Sequence, residues 1–364
     1  MGARFLILET SAEALVEEVR LNNLGFHLGI RYTQTGSLQD LESAIDCFEK
    51  AVAVTTEDRP ARAKMLNNLS HSLSHRYEQT KELQDLETAI LYGEKAVKTS
   101  QENDPDQGIL LNGLGERFYS RYQHTRNVGD LEAAINHTER AVKVVPEDHL
   151  DHAIWLNNLA MNLISRYERT GNFHDLVAAI NHAEAALKAT PKDHPERAIW
   201  VINLGDYWKS RYERTGNLHD LVAAINHAEA ALKATPEDHP GRAVGLINLG
   251  HYLSGRYIET DGLHNLELAV TAWVTCFSIP TTQIVRRIEA ASDAALTLVF
   301  TPLATSNTVL RAYSLLHDAT HLISLAALRS LQREDQQYIM GKLTGLASLT
   351  IVVSLEAGKP PLEA

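Results

Sequence analysis

Apolar side chains recur at steps of three and four residues in consecutive blocks of the chain. In one block they are Leu21, Leu24, Leu28 and Tyr32, and in the next they are Leu41, Ala44, Ile45, Phe48, Ala51 and Val52. This spacing places each set on one face of an α-helix, because side chains three or four residues apart stack along the same face. The two blocks therefore predict a pair of amphipathic helices that pack together as a hairpin.

Helix-ending and helix-starting residues separate the blocks. Thr35-Gly36 closes the first block, and glycine there is suited to the left-handed conformation that ends many helices. The next residue is a hydroxyl or amide able to cap the following helix, at Ser37, Asn127, Asn172 and Asn217. Pro195 and Pro240 are predicted to stand in the first turn of later first helices.

The hairpin pattern repeats every 45 residues. The dipeptide Arg-Tyr occurs at 31–32, 76–77, 121–122, 166–167, 211–212 and 256–257. Such self-similarity is typical of solenoids in which each repeat packs only on its neighbours. The sequence predicts an all-α fold with units near 14–59, 60–104, 105–149, 150–194, 195–239 and 240–281. Residues 282–364 leave the period and are predicted to form about three helices that cap the array, near 283–300, 307–330 and 333–357.

The charge of the chain is acidic and uneven. The 364 residues carry a formal net charge of −12, and residues 282–364 are neutral, so the excess lies in residues 1–281. An acidic surface disfavours nucleic acid and anionic lipid and favours neutral or basic partners. The chain has no apolar run of about 18 residues, and Cys47 and Cys276 cannot form a disulfide framework. We expect a cytoplasmic protein that binds neither nucleic acid nor membrane, of an oligomeric state that the sequence does not set.

The residues that recur at equivalent positions of the 45-residue units resemble the pattern of the tetratricopeptide repeat. Leu24-Gly25 in the first helix and Ala44 and Ala51 in the second match its pattern, and its closing proline column holds Pro146, Pro191 and Pro236. The Leu-Asn-Asn-Leu opening is similar to the longer repeats of kinesin light chains. The resemblance implies a right-handed superhelical solenoid whose first helices line a concave groove that binds other proteins.

Asparagines form the strongest candidate binding surface in that groove. They occupy two neighbouring columns of the first helices, Asn22, Asn67, Asn112 and Asn157, then Asn23, Asn68, Asn158, Asn203 and Asn248. An amide both donates and accepts, so a ladder of amides can bind the backbone of an extended peptide. Residues further along the same face vary and are candidates for side-chain recognition, among them His71, Tyr119 and Met161. The alternative is that the amides bond neighbouring helices and hold the array together.

Ion pairs are predicted across the inner turn of each hairpin. The arginine of each Arg-Tyr dipeptide lies near the buried face at the end of a first helix and needs a partner, and an aspartate follows nine residues later. The predicted structural pairs are Arg31–Asp40, Arg76–Asp85, Arg121–Asp130, Arg166–Asp175 and Arg211–Asp220. In the sixth unit Asn265 replaces the aspartate.

The 17 histidines fall in columns, which indicates surface ladders rather than a metal site. The columns are His137/His182/His227, His174/His219/His264 and His149/His194/His239. Their members are roughly 10 Å apart if hairpins stack at the usual helix distance, whereas metal ligands lie about 2 Å from the ion. The chain also lacks a phosphate-binding glycine loop and the G-x-S-x-G and H-E-x-x-H motifs. We therefore predict no metal, no cofactor and no catalytic residue.

A closer resemblance extends over nearly the whole chain. The phrases LNNLG, RYERTGNLHDL, ATPEDHPGRA, SLQREDQQY and LEAGKPPLEA are similar to large fungal proteins whose repeats precede a CHAT domain, a caspase-like cysteine peptidase domain. The resemblance implies the repeat half of such a protein without the peptidase domain. The sequence thus predicts a non-catalytic scaffold that binds a peptide or a partner domain. The alternative is the regulatory half of a CHAT peptidase, acting in cis or in trans.

Overall fold

The computed structural model describes residues 2–57, 59–101, 106–146, 148–236, 240–325 and 333–359. Within these ranges the regular structure consists of α-helices alone. The helices are α1 (Gly2–Thr35), α2 (Leu38–Val54), α3 (Ala61–Thr80), α4 (Leu83–Thr99), α5 (Gln107–Thr125), α6 (Val128–Val144), α7 (His152–Thr170), α8 (Phe173–Ala189), α9 (Arg197–Thr215), α10 (Leu218–Ala234), α11 (Pro240–Thr260), α12 (Leu263–Ser278), α13 (Ile284–Phe300), α14 (Ser306–Leu325) and α15 (Arg333–Glu356).

The helices are grouped into two compact units, Met1–Ala189 and Thr190–Ala364. In the first unit α1–α2, α3–α4, α5–α6 and α7–α8 pack as hairpins, and each second helix also contacts the next first helix. In the second unit α9–α10 and α11–α12 form hairpins, and α10 contacts α11. Consecutive hairpins therefore stack within each unit, which confirms the all-α solenoid predicted from the 45-residue period.

The predicted apolar columns form the core of the hairpins. One leucine column of the second helices is at most 1% exposed, at Leu41, Leu86, Leu131, Leu176 and Leu221. An alanine three residues later is fully buried, at Ala44, Ala89, Ala134, Ala179, Ala224 and Ala269. Burying one such leucine stabilises the fold by roughly 1.5–3 kcal/mol, and the small alanine lets the paired helices approach closely.

The inner turn has the same backbone in all six hairpins. Gly36, Gly171 and Gly216 have φ near 70°, and the equivalent residues Lys81, Arg126 and Asp261 have φ of 59°, 58° and 49°. The left-handed helix end predicted from glycine is therefore confirmed, and it persists where the residue is not glycine. The predicted caps are also present: the side chains of Ser37, Asn127, Asn172 and Asn217 accept hydrogen bonds from backbone N–H groups of the next helix.

The connection between hairpins differs in one detail from the prediction. Pro240 begins α11, but α9 begins at Arg197, two residues after Pro195. The reason is a turn in which Nδ1 of His194 accepts a hydrogen bond from the backbone N–H of Glu196. His149 makes the equivalent bond to Asp151. These histidines also pack on Trp200 and Trp155, each with ring centroids 5.2 Å apart, so they stabilise the connection, whereas His239 lies outside the described residues.

The C-terminal helices continue the core of the second unit. α13 packs on α12, α14 packs on α13, and α15 contacts both α13 and α14. One apolar cluster runs from Leu221 through Trp273 and Leu316 to Val353. The three helices lie close to their predicted positions, while the predicted boundary between array and cap near residue 282 remains a prediction. None of the described helices is long and apolar enough to cross a membrane.

Candidate binding site

A bidentate ion pair closes the inner turn of five hairpins. The structure brings each predicted arginine and aspartate together, with Nη2–Oδ1 distances of 2.5–2.7 Å and Nε–Oδ2 distances of 2.6–3.0 Å. The hydrogen bond from Arg31 lowers the pKa of Asp40. In the sixth hairpin the Asn265 amide donates to Thr260 instead. These pairs position the helices and lie at the turns, away from the first-helix surface described next.

The asparagine columns bond neighbouring first helices to one another. Asn68 donates to the side-chain oxygen of Asn22 at 3.1 Å, and Asn158 donates to that of Asn112 at 3.2 Å. Asn112 and Asn158 both donate to Glu116, at 3.0 and 2.9 Å. For these four amides the hydrogen bonds favour the alternative that the ladder holds the array together.

The other asparagines have varied surroundings. Asn157 is buried with its amide 3.6 Å from the Met161 sulfur, and Asn23 is exposed. Asn248 donates to both carboxylate oxygens of Asp206 at 3.0 Å. Burial raises the pKa of Asp206 even though Tyr252 and Asn248 donate hydrogen bonds to it. The ladder is therefore not a uniform row of free amides.

A cavity of about 250 Å³ lies between α3, α5 and α7. His71, Tyr119 and Met161, the three variable residues selected from the sequence, all line it together with Asn158. Its walls also carry the hydroxyls of Ser74 and Ser120. Three first helices, each one repeat further along the chain, thus contribute side chains to one recess.

Arg117 is a buried cation in the wall of this cavity. The residue is 3% exposed, and among the described residues its Nε and Nη1 atoms have no hydrogen-bond partner. Burial lowers the pKa of Arg117 to about 10, so the guanidinium stays charged at neutral pH. Sequence reasoning missed this residue. The available signal was a charged residue in a column whose other members are His27, Ser72, Asn162, Tyr207 and Tyr252, all but His27 being buried.

Gly113 makes room for the Arg117 guanidinium. A Cβ atom at position 113 would lie 2.7 Å from Nη1 of Arg117 and 3.7 Å from Oδ1 of Asn67. In the other five hairpins this position holds asparagine. The third hairpin therefore lacks the asparagine side chain that the other hairpins have at this position, and the Arg117 guanidinium occupies the space that this side chain would need.

A hydrogen-bonded chain of His71, His75 and Glu78 lines the side of the cavity formed by α3. The Nε2 atoms of His71 and His75 are 3.0 Å apart, and Nδ1 of His75 is 3.1 Å from Glu78. Desolvation by the cavity walls, followed by the nearby His75 and Arg117, lowers the pKa of His71 to about 4, although its side chain keeps an exposed surface. With His71 neutral, its Nε2–H can donate to Nε2 of His75 while Nδ1–H of His75 donates to Glu78.

The side of the cavity formed by α5 and α7 is fixed by bonds between helices. The Tyr119 hydroxyl lies 3.0 Å from Oγ of Ser165, and the buried Asn162 amide donates to Thr138 at 3.2 Å. Side chains held in this way keep one geometry, which is what a preformed binding site requires.

The second unit has a recess of its own. Asn203 is half-buried and lines a recess of about 400 Å³ with Ile199, Ile202 and Arg286. This recess is lined by both apolar and polar side chains, and its volume is larger than that of the cavity between α3, α5 and α7. Asn203 thus lines a recess, as Asn158 does in the first unit.

Both thiols are buried within second helices. Burial raises the pKa of Cys47, and it raises the pKa of Cys276 to about 11, so both are protonated at neutral pH. Across the part of the chain that the structure describes, no cluster of His, Cys, Asp or Glu side chains converges as metal ligands would.

The stacked hairpins with buried leucine and alanine columns define a tetratricopeptide-like helical solenoid. The solved C-terminal part of a TPR repeat-containing protein from Cytophaga hutchinsonii shares this fold, with a TM-score of 0.54 and 14% identity. The match covers 80% of this chain and 93% of that one. Models of protein families and curated proteins gave no match to the chain.

Two further solved structures are similar over a smaller share of the chain. YrrB, a TPR protein with an unusual peptide-binding site, matches 64% of this chain and 92% of its own, with 17% identity and a TM-score of 0.43. A putative kinesin light chain from P. anserina with nearly identical TPR-like repeats matches 59% of this chain and 96% of its own, with 16% identity and a TM-score of 0.43.

Proposed function

We propose that this protein is a non-catalytic interaction scaffold that binds a peptide segment of a partner protein on its first-helix surface. The observation that carries the proposal is the cavity between α3, α5 and α7. His71, Tyr119 and Met161 stand at positions that vary between repeats, and they line a single recess. Variable side chains on a constant helical frame are what a recognition surface needs, because the frame gives position and the side chains give specificity.

In this proposal the asparagines do not form a continuous ladder that binds the peptide backbone. Asn68 donates a hydrogen bond to Asn22, and Asn158 donates one to Asn112. They fix the spacing of adjacent first helices and so set the distance between the recognition side chains. Asn158 has two roles in this proposal, because it bonds a neighbouring first helix and also lines the cavity.

The proposed partner is neutral or basic as a whole. The net charge of −12 lies in residues 1–281, which contain the cavity, so long-range attraction favours a basic surface around the bound segment. Nucleic acid and anionic membrane are disfavoured by the same field. The proposal includes no metal or cofactor.

Filling the cavity tests the proposal. Ser120 lines the cavity and is half-buried, and Ser43 is half-buried on α2, so Ser120→Phe and Ser43→Phe add the same ring to the two faces of the array. Peptides that bind the wild-type protein are selected from a random displayed library and titrated by calorimetry against both variants. We expect Ser43→Phe to bind as the wild type does and Ser120→Phe to lose at least about tenfold in affinity.

Two results would contradict the proposal. The first is equal binding of the selected peptides to both phenylalanine variants, because the contact would then lie elsewhere. The second is a library that yields no binder to the folded wild-type protein. Circular dichroism of all three proteins must show equal helix content for either comparison to count.

The second candidate function is control of a CHAT-type peptidase, in cis or in trans. Its support is the resemblance of segments such as RYERTGNLHDL and LEAGKPPLEA to the repeat regions of those proteins. The chain itself supplies protonated, buried thiols, so in this proposal the nucleophile belongs to another domain or chain. Reading the coding sequence beyond Ala364 tests the cis form. A caspase-like domain there favours this candidate, and a stop codon leaves only the form in trans.

A further inference from the structure

We propose that the outer face of α1 is a docking surface for an acidic amphipathic helix of a partner protein. The outer face is defined by Val16, Arg20, Leu24, His27 and Arg31, which follow one another at steps of three and four residues along the helix. The inference goes beyond the proposed function, because this face is a different surface from the cavity between α3, α5 and α7.

The same face is buried in the hairpins that follow. Leu24 is 43% exposed, whereas the leucines at the equivalent position are at most 2% exposed, at Leu69, Leu114, Leu159 and Leu204. Arg20 and His27 are exposed as well. The residues equivalent to them in α3, α5 and α7 are buried, at Met65, Leu110, Trp155, Ser72, Arg117 and Asn162. The outer face of α1 is therefore a packing surface that lacks its usual cover.

The second helix of the preceding hairpin provides that cover elsewhere. Leu69 of α3 lies in one apolar cluster with Ile45 of α2, and Asn162 of α7 donates a hydrogen bond to Thr138 of α6. In the part of the chain that the structure describes, the corresponding place beside α1 is open. α1 is one continuous helix from Gly2, so its own first turns do not fold back over the face.

The covering helices share one pattern of side chains. A glutamate, an isoleucine, a second glutamate and a valine recur at steps of three, four and three residues, as Glu42/Ile45/Glu49/Val52, Glu87/Ile90/Glu94/Val97 and Glu132/Ile135/Glu139/Val142. The pKa of Arg76 is raised first by its hydrogen bond to Asp85 and then by Glu42 and Glu49 of the covering helix. For Arg121 and Arg166 the paired aspartate likewise acts first, followed by two glutamates of the covering helix.

The outer face of α1 complements such a helix in charge. The Arg31 side chain is 60% exposed, against 32% for Arg76, so a carboxylate of a docked helix could reach it. Arg20 stands where α3 has Met65, whose sulfur lies 3.3 Å from Thr55 at the end of α2. The face thus has a cation at each end, and acidic groups on a docked helix would give it orientation and specificity.

The occupant is a helix of another protein rather than a second copy of this chain. In the described helices the Glu-Ile-Glu-Val faces of α2, α4 and α6 are already covered by α3, α5 and α7. A folded second copy therefore has none of these three faces free to offer. Arg20 and His27 keep the open face of α1 partly polar, which suits a reversible interface, since such interfaces mix apolar and polar groups.

The test uses a helix that the fold already provides. The probe is a fluorescein-labelled peptide with the sequence of residues 37–57, which contains α2, with Cys47→Ala to prevent oxidation. A lactam joins the side chains of Asp46 and Lys50, which form an exposed ion pair of 2.6 Å in the protein, and keeps the isolated peptide helical. Fluorescence anisotropy of the probe is measured against the full chain, and we expect saturable binding.

Matched changes test both sides of the contact. A control peptide with Glu42→Lys and Glu49→Lys should bind at least about tenfold more weakly, because it brings like charges together. Leu24→Asp in the full chain should weaken binding of the probe by a similar factor, and Arg20→Glu by about threefold or more. Phe26→Asp should leave the affinity unchanged, because Phe26 is 54% exposed but lies about 200° around the helix from Leu24.

Four results would overturn the proposal. They are no saturable binding of the probe, equal binding of the control peptide, equal losses in Leu24→Asp and Phe26→Asp, and self-association of the wild-type chain that Leu24→Asp abolishes in sedimentation. The last result would assign the face to a second copy. Circular dichroism checks that the variants are folded, and if Leu24→Asp unfolds, the exposed substitution Arg20→Glu decides. Ser120→Phe should bind the probe as the wild type does, so this inference stands or fails apart from the proposed function.

Discussion

Lys81 and Arg126 hold a backbone conformation that suits glycine, and replacing them should stabilise the array. Both end a first helix with φ near 60°, in the position where Gly36, Gly171 and Gly216 stand in other hairpins. A residue with a Cβ atom in this conformation costs roughly 1–2 kcal/mol. Substitution by glycine removes this cost, but it also gives the unfolded chain more conformational freedom, which lowers stability by about 0.4–1 kcal/mol.

The net gain is therefore about 0.5 kcal/mol for each substitution. That figure already allows about 0.5 kcal/mol for an exposed cation–ring contact at each position, since the Lys81 ammonium lies 5.5 Å from the Tyr77 ring and the Arg126 guanidinium lies 5.8 Å from the Tyr122 ring. Lys81→Gly and Arg126→Gly lie in different hairpins, so their effects should add to about 1 kcal/mol in the double variant. Gly171→Lys should destabilise its hairpin by about 0.5 kcal/mol, since it reverses the change.

Native-state hydrogen exchange is the suitable assay, because a repeat array opens in parts and one global midpoint averages over them. Amides of α3 and α4 should become better protected in Lys81→Gly, and amides of α7 and α8 less protected in Gly171→Lys. A loss of protection in Lys81→Gly, or an unchanged Gly171→Lys, would refute the reasoning, since left-handed strain would then not govern this position.

Three further outcomes follow from contacts already described. Asp175→Asn, which leaves Arg166 without its carboxylate, should lower the free energy of unfolding in urea by about 1.5–3 kcal/mol. Gly250→Ala would place a Cβ atom 2.3 Å from Nε1 of Trp273 and should cost about 1–3 kcal/mol with a change in tryptophan fluorescence. Burial lowers the pKa of His137 from 6.5 to about 4, so the unfolded chain binds this proton more readily and stability is lost as pH falls from 6.5 towards 4. His137→Gln should therefore recover about 1 kcal/mol of the stability lost between pH 7 and pH 5, measured by thermal unfolding.

The parts of the fold that sequence could predict depend on short-range chemistry. The Leu41 column follows from helical periodicity, and the inner turn follows from Gly36 and its capping neighbour, all within one repeat. The Arg31–Asp40 pair spans nine residues, so both partners stand in one hairpin and the turn brings them together.

The parts that sequence left open depend on neighbouring hairpins. Whether Asn22 faces solvent or a partner is decided by Asn68, 46 residues away. The spacing is one residue more than the repeat, so a column-by-column comparison does not pair them. Arg117 was missed because its burial depends on α3, α5 and α7 together, as does the absence of a hydrogen-bond partner for its Nε and Nη1 atoms among the described residues.

The inner-turn ion pairs also bear on how such an array changes in length. Each pair is complete within its own hairpin, so a copied hairpin brings its own closure and requires no new partner elsewhere. Residues 166–198 and 211–243 agree at 30 of 33 positions, as expected if this stretch arose by such copying. The cavity around Arg117 depends instead on three dissimilar first helices in a fixed order. Duplication at residues 166–243 therefore lengthens the protein while leaving the cavity between α3, α5 and α7 intact, and an insertion between α3 and α7 would destroy it.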